Sequence, residues 1–165
     1  MEKDKITATK VKRSGIFDFK ELYKFVYNWL SEEGYDTDET KYVEEVTGDS
    51  KKIEIKWESF KKITDYFKTM MKLEWRIVGL KSVEVEQNGK KIKMNSGTFE
   101  VKITGTLVRD YQGTWDNTGF MKFMRGVYDK YIIRDTVEKY EGKVFGDVED
   151  LAEQVKAFLT IEGMK

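Results

Sequence analysis

The chain has no cysteine, no histidine and no proline in 165 residues. Without cysteine there is no disulfide, no thiol nucleophile and no thiolate metal site. Without histidine the commonest general base and the commonest transition-metal ligand are gone. Ser-His-Asp and Cys-His catalysis are thus excluded within this chain, and so are His-based zinc or iron sites. Carboxylate, Lys or Tyr acid–base chemistry and an oxygen-ligated ion remain open, but no catalytic motif marks them. Rigid Pro-rich linkers are excluded as well. Net charge is also missing, since 30 basic and 30 acidic side chains cancel. A uniform basic field for nucleic acid is therefore absent. No segment approaches the roughly 20 apolar residues needed to span a bilayer. The charged stretch from Met1 to Gly15 lacks the apolar core of a signal peptide. No glycine cluster sits between a strand and a helix, as a phosphate loop requires. The expectation is a soluble, cytoplasmic, non-enzymatic protein with no cofactor and no metal.

The chain is rich in aromatics (10 Phe, 9 Tyr and 4 Trp). A disordered chain of this charge content is poor in them, so one folded domain over residues 1–165 is expected. Its dominant stretch runs from Tyr66 to Tyr111. Phe67, Thr69, Met71, Leu73, Trp75 and Ile77 alternate with polar residues. Val83 and Val85, then Ile92 and Met94, then Phe99, Val101, Ile103 and Leu107 continue the pattern. Alternation of this kind gives a sheet with one apolar and one solvated face. Asn88-Gly89 reads as a hairpin turn. Gly105, at an inward position, reads as a bulge or a place of close packing. Earlier, Lys51 to Glu58 is a strand with Ile53, Ile55 and Trp57 inward, and Thr40 to Val46 is a second. Residues 1–14 are a short edge strand or a frayed tail. The total is an antiparallel sheet of about six strands.

Phe17 to Gly34 reads as a helix. Asp18 caps it, and Glu21 completes a capping-box-like pair. Leu22, Phe25, Val26, Trp29 and Leu30 form its buried stripe. Tyr23 and Tyr27 flank that stripe, while Lys20 and Lys24 face away. The turn Asp36-Thr37-Asp38-Glu39 is either a cation loop or a solvated loop. An EF-hand spacing is not met, because Thr40 and Lys41 stand where a ligand and a glycine belong.

The period turns helical from Phe120. Phe120, Phe123, Met124, Val127 and Tyr131 share a stripe, which Ile132 or Ile133, Val137 and Tyr140 extend. Val148, Leu151, Val155, Phe158 and Leu159 share another. One kinked helix or two are equally compatible with this. An unbroken helix from Thr118 to Glu162 would run on the order of 65 Å. A break near Gly142 to Gly146, or a projecting helical arm over residues 143–165, is therefore expected. If the arm projects, Val148, Leu151, Val155 and Phe158 would offer an exposed homodimer stripe. Arg125, Tyr128, Asp129 and Arg134 are read as a polar recognition face or as a salt-bridged helix surface.

This order is one short strand, a helix, a run of antiparallel strands and a long C-terminal helical region. It resembles the helix-grip fold of the START and pollen-allergen type superfamily. The likeness is of element order, with no motif matched. It implies an α+β fold whose sheet is covered on one face by the N-terminal helix and the C-terminal helical region. It also implies an apolar pocket between sheet and C-terminal helix for a hydrophobic small molecule. The lining residues would be Trp57, Phe67, Met71, Trp75, Met94, Phe99 and Ile103, closed by Phe120 and Met124. The alternative, which the residue types favour, is that the same residues simply fill a core. Nucleic acid is not expected on this sheet, because its large aromatics share the covered face.

Overall fold

A computed structural model describes residues 1–113, 118–128, 130 and 134–164. The elements in chain order are β1 (Glu2–Phe17), α1 (Phe19–Glu32), β2 (Asp36–Thr47), β3 (Ser50–Lys62), β4 (Phe67–Gln87), β5 (Lys90–Arg109), α2 (Gly119–Val127) and α3 (Arg134–Met164). The fold is α+β, with one antiparallel sheet in the order β1-β5-β4-β3-β2.

The sheet has five strands rather than about six. The shorter runs read between Tyr66 and Tyr111 merge into two long strands, β4 and β5, of 21 and 20 residues. Asn88 and Gly89 join them, with φ of 52° and 78°. The segment read as a short strand or tail is a full strand of 16 residues, β1, paired with β5. Asp36 to Glu39 is the start of β2 rather than a cation loop.

Two helices cover one face. Leu22, Val26 and Leu30 of α1 are buried, as the stripe predicts. Asp18 accepts a hydrogen bond from the Glu21 amide at 3.1 Å, which makes it the N-cap. α3 runs unbroken through Gly142 and Gly146, so of the two expectations for this region, a break or a projecting arm, the break is absent. Its Val144, Val148, Leu151, Ala152, Val155 and Leu159 are buried against the sheet. Each such side chain stabilises by about 1.5–3 kcal/mol when fully buried. The close approach is possible because the sheet has Gly105 beneath Val144 and Val148. α1 and α3 meet through Phe25 and Phe158, whose rings stack at 5.0 Å.

The sheet changes face partway along β4. The pairing of β4 with β5 shifts between Val78 and Lys81, and Gly79 adopts φ of 67° there. Such a bulge reverses which residues point to each side. Ile77 and Leu80 are both buried although three residues apart. Beyond the bulge, Val83 and Val85 stand on the outer face, opposite Met94 and Ile92. No helix among the described residues is long and apolar enough to cross a membrane.

Candidate functional site

α1 crosses the inner face and places its two i, i+4 side-chain ladders toward β2. One ladder is Phe19 and Tyr23; the other is Lys20 and Lys24. The β2 residue facing them is Tyr42, which is 47% exposed. These five residues line an apolar hollow of about 310 Å³. Farther along β2, Val46 is 66% exposed on the same inner face.

Behind Tyr23 lies a continuous aromatic layer. Its ring is 5.0 Å from Trp57 and 6.1 Å from Trp75. Trp57 and Trp75 are 5.0 Å apart, and Trp75 is 5.6 Å from Phe99. Glu39 anchors this layer from the edge strand. Its Oε1 accepts from the Tyr23 hydroxyl at 2.8 Å and from Trp57 Nε1 at 3.1 Å. Burial, then the bond to Glu39, pushes the Tyr23 hydroxyl up to about 12. Tyr23 is therefore a neutral donor whose proton is already committed. Burial also raises the Tyr42 hydroxyl, with Glu44 adding to the effect. Trp75 Nε1 is buried with no hydrogen-bond partner among the described residues.

Chemically, the hollow offers three rings and the aliphatic stems of two lysines. The charged residues that line it are Lys20 and Lys24, and the carboxylates of Glu39 and Glu44 lie near its tyrosines. Lys24 has Glu21 at 4.0 Å, an exposed and weak pair. Lys20 enters no salt bridge among the described residues. At about 310 Å³ the hollow lies at the small end of ligand pockets, about 300–1,000 Å³.

The pocket residues read from the sequence are not brought together around one space. Trp57, Phe67, Met71, Trp75, Phe99 and Ile103 are buried in the core. Phe67 belongs to a separate cluster with Leu107 and Val144, where it meets Tyr140 at 5.0 Å. Met94 stands on the opposite face, because it lies five positions, an odd number, from Phe99 along a regular β5. Phe120 and Met124 do not close on the sheet; they are 70% and 37% exposed on α2. The proposed dimer stripe is also corrected. Val148, Leu151 and Val155 are buried, and Phe158 packs on Phe25, so α3 presents no exposed apolar arm through these residues.

The polar set is split. Arg125 lies 3.6 Å from buried Asp110, and 3.9 Å from Glu2. Arg109 adds contacts to Glu2 and Asp4. Tyr128 packs its ring 6.0 Å from Tyr66. Arg134 is 78% exposed and pairs only with Glu138 among the described residues, at 3.5 Å. Asp129 lies outside the described residues, as do Trp115, Tyr131, Ile132 and Ile133. Arg125 thus ties α2 to the sheet end, and Arg134 takes no part in that cluster.

A second hollow, of about 350 Å³, lies on the outer face of the sheet. Five cations, Lys10, Lys41, Lys56, Arg76 and Lys102, line it with three glutamates, Glu54, Glu74 and Glu100. Two of the cations are paired, Lys10 with Glu100 at 3.3 Å and Lys41 with Glu54 at 3.1 Å. The sequence signal for the α1 groove was the pair of parallel ladders, which read there as boundary packing and solvent-facing charge. No protein-family model, curated protein or solved structure matches the chain.

Proposed function

We propose that this protein is a non-enzymatic binding module that holds a small aromatic carboxylate in the groove between α1 and β2. The observation that carries the reading is the apolar hollow of Phe19, Tyr23 and Tyr42 with Lys20 and Lys24 on its rim. Rings fit between the aromatic side chains. An anionic group then meets the lysines, and a cationic or zwitterionic one is disfavoured. The reading keeps the hydrophobic-ligand function implied by the helix-grip likeness but moves it from under α3 to the flank of α1. What the chain shares with that likeness is the element order and a long C-terminal helix lying on the sheet.

The test is isothermal titration of the full chain with 1-naphthoate and with its neutral counterpart 1-naphthamide. Naphthoate is expected to bind about tenfold more tightly than the amide, a difference of about 1.4 kcal/mol. Lys20→Glu with Lys24→Glu removes that preference, and Tyr42→Ala weakens both ligands. Equal binding to wild type and to Tyr42→Ala overturns the reading, as does no binding of either compound.

A further inference from the structure

The two outermost strands of the sheet carry opposite charge. On the outer face β1 presents Lys3, Lys5, Lys10 and Lys12, with no acidic residue among them. On that face β2 presents Asp36, Asp38 and Glu45, with Lys41 between them. Lys41 and Lys10 are paired within the sheet, to Glu54 and Glu100. Lys3, Lys5, Lys12, Asp36, Asp38 and Glu45 enter no salt bridge among the described residues. Both strands are long and terminal, so among the described residues each has one edge with no strand beside it. Such edges are templates for further pairing unless something blocks them.

Each strand runs antiparallel to its neighbour, and there are five. β1 and β2 therefore run in the same direction. A second copy moved sideways across the sheet lays its β1 parallel to β2, with outer faces matched. One constant offset sets Lys3 opposite Asp36, Lys5 opposite Asp38, Ala8 opposite Lys41, Lys10 opposite Val43 and Lys12 opposite Glu45. At that offset the irregularity of β1, between Lys5 and Thr7, falls within one residue of that of β2, between Glu39 and Lys41. On the inner face the offset pairs Ile6 with Glu39, Thr9 with Tyr42, Val11 with Glu44 and Arg13 with Val46. No like charges stand opposite one another on either face. A two-fold dimer through the β1 edge alone would instead oppose lysines to lysines, which destabilises a ladder.

We propose that the β1 and β2 edges are complementary halves of one interface, through which copies of this chain join head to tail into a continuous sheet. An interface between two different patches closes into a ring or extends as a fibre. It is held by charge between exposed side chains, so it weakens as salt screens them.

Sedimentation velocity of the full chain at about 20 mM and about 500 mM salt tests this. The expected result is association that grows with concentration at low salt and is lost at high salt. Asp36→Lys, Asp38→Lys and Glu45→Lys together make both edges basic; Lys3→Glu, Lys5→Glu and Lys12→Glu together make both acidic. Each variant alone is expected to be monomeric, and an equimolar mixture of the two to associate again. Asp36→Asn, Asp38→Asn and Glu45→Gln together remove charge without adding bulk, and weaken association at least about tenfold. Circular dichroism identifies any variant that fails to fold. A wild-type monomer at both salt concentrations overturns the proposal, since the charges then only guard the edges. Association of either charge-reversed variant alone, or a folded mixture that stays monomeric, overturns it equally.

Discussion

Gly105 of β5 lies so close beneath Val148 of α3 that a β-carbon there would stand 2.6 Å from Val148 Cγ2. Val144 Cγ1 would be 2.8 Å away. Both neighbours are fully buried, so neither can swing aside freely. Gly105→Ala is expected to destabilise by about 1–3 kcal/mol through overpacking. Adding Val148→Ala opens space for the new methyl, so the double variant should lose less than the two single losses combined. Urea denaturation of the four proteins measures this coupling. Simple additivity would mean that the helix does not bear on this glycine.

Glu39 holds two donors with one oxygen. Glu39→Ala leaves Trp57 Nε1 and the Tyr23 hydroxyl without their acceptor, at a cost of about 1–3 kcal/mol. Glu39→Gln keeps a carbonyl oxygen in place and should cost less. Urea midpoints give the order, and Trp57 emission reports the change at the indole directly. Equal loss in both variants would show that the negative charge matters more than the acceptor.

Tyr23 gives the fold a dependence on alkaline pH. Its hydroxyl titrates at about 12 in the folded chain, against about 10 for an ordinary tyrosine. The folded state thus keeps a proton that the unfolded chain releases. This contribution is whole below pH about 10 and is lost as pH rises from about 10 through about 12. Tyr35, which donates to Asp147 at 2.7 Å and is also raised by burial, acts in the same direction. Stability measured from pH about 9 to about 12 should fall less steeply in Tyr23→Phe than in wild type. Parallel curves would contradict the raised value.

Arg125 and Arg134 separate a structural cation from a surface one. Asp110 is 2% exposed, and Arg125 is one of the cations beside it. Arg125→Ala should destabilise by about 2–4 kcal/mol, because a buried carboxylate loses a partner. Arg134→Ala removes an exposed i, i+4 pair and should change stability by no more than about 0.5 kcal/mol. Thermal melts of the two variants check the contrast.

Much of this architecture is legible in the residues. The α1 stripe, its Asp18 cap and the Asn88-Gly89 turn are local, and each follows from spacing alone. The α3 stripe is legible too, but its burial is not. Exposure of Val148 and Leu151 depends on whether a strand lies beneath them, and β1 was the strand that Lys-rich composition concealed. The bulge at Gly79 hid the face change, because alternation resumes unbroken in sequence on both sides of it. Val83 changes face at that bulge, whereas the face of Met94 follows from its five-position step from Phe99 along β5. The groove is not legible in the sequence because its parts are ordinary singly. Phe19 and Tyr23 become a site only when Tyr42, from a different element, stands opposite them.

The most direct test of the binding reading is a titration of isotopically labelled full-length protein with 1-naphthoate, followed by NMR chemical shifts. The largest changes are expected on Phe19, Lys20, Tyr23, Lys24 and Tyr42, with smaller ones at Trp57 and Trp75 behind them. Changes centred on α3 and the Phe67–Tyr140 cluster, with Tyr42 unmoved, would contradict it.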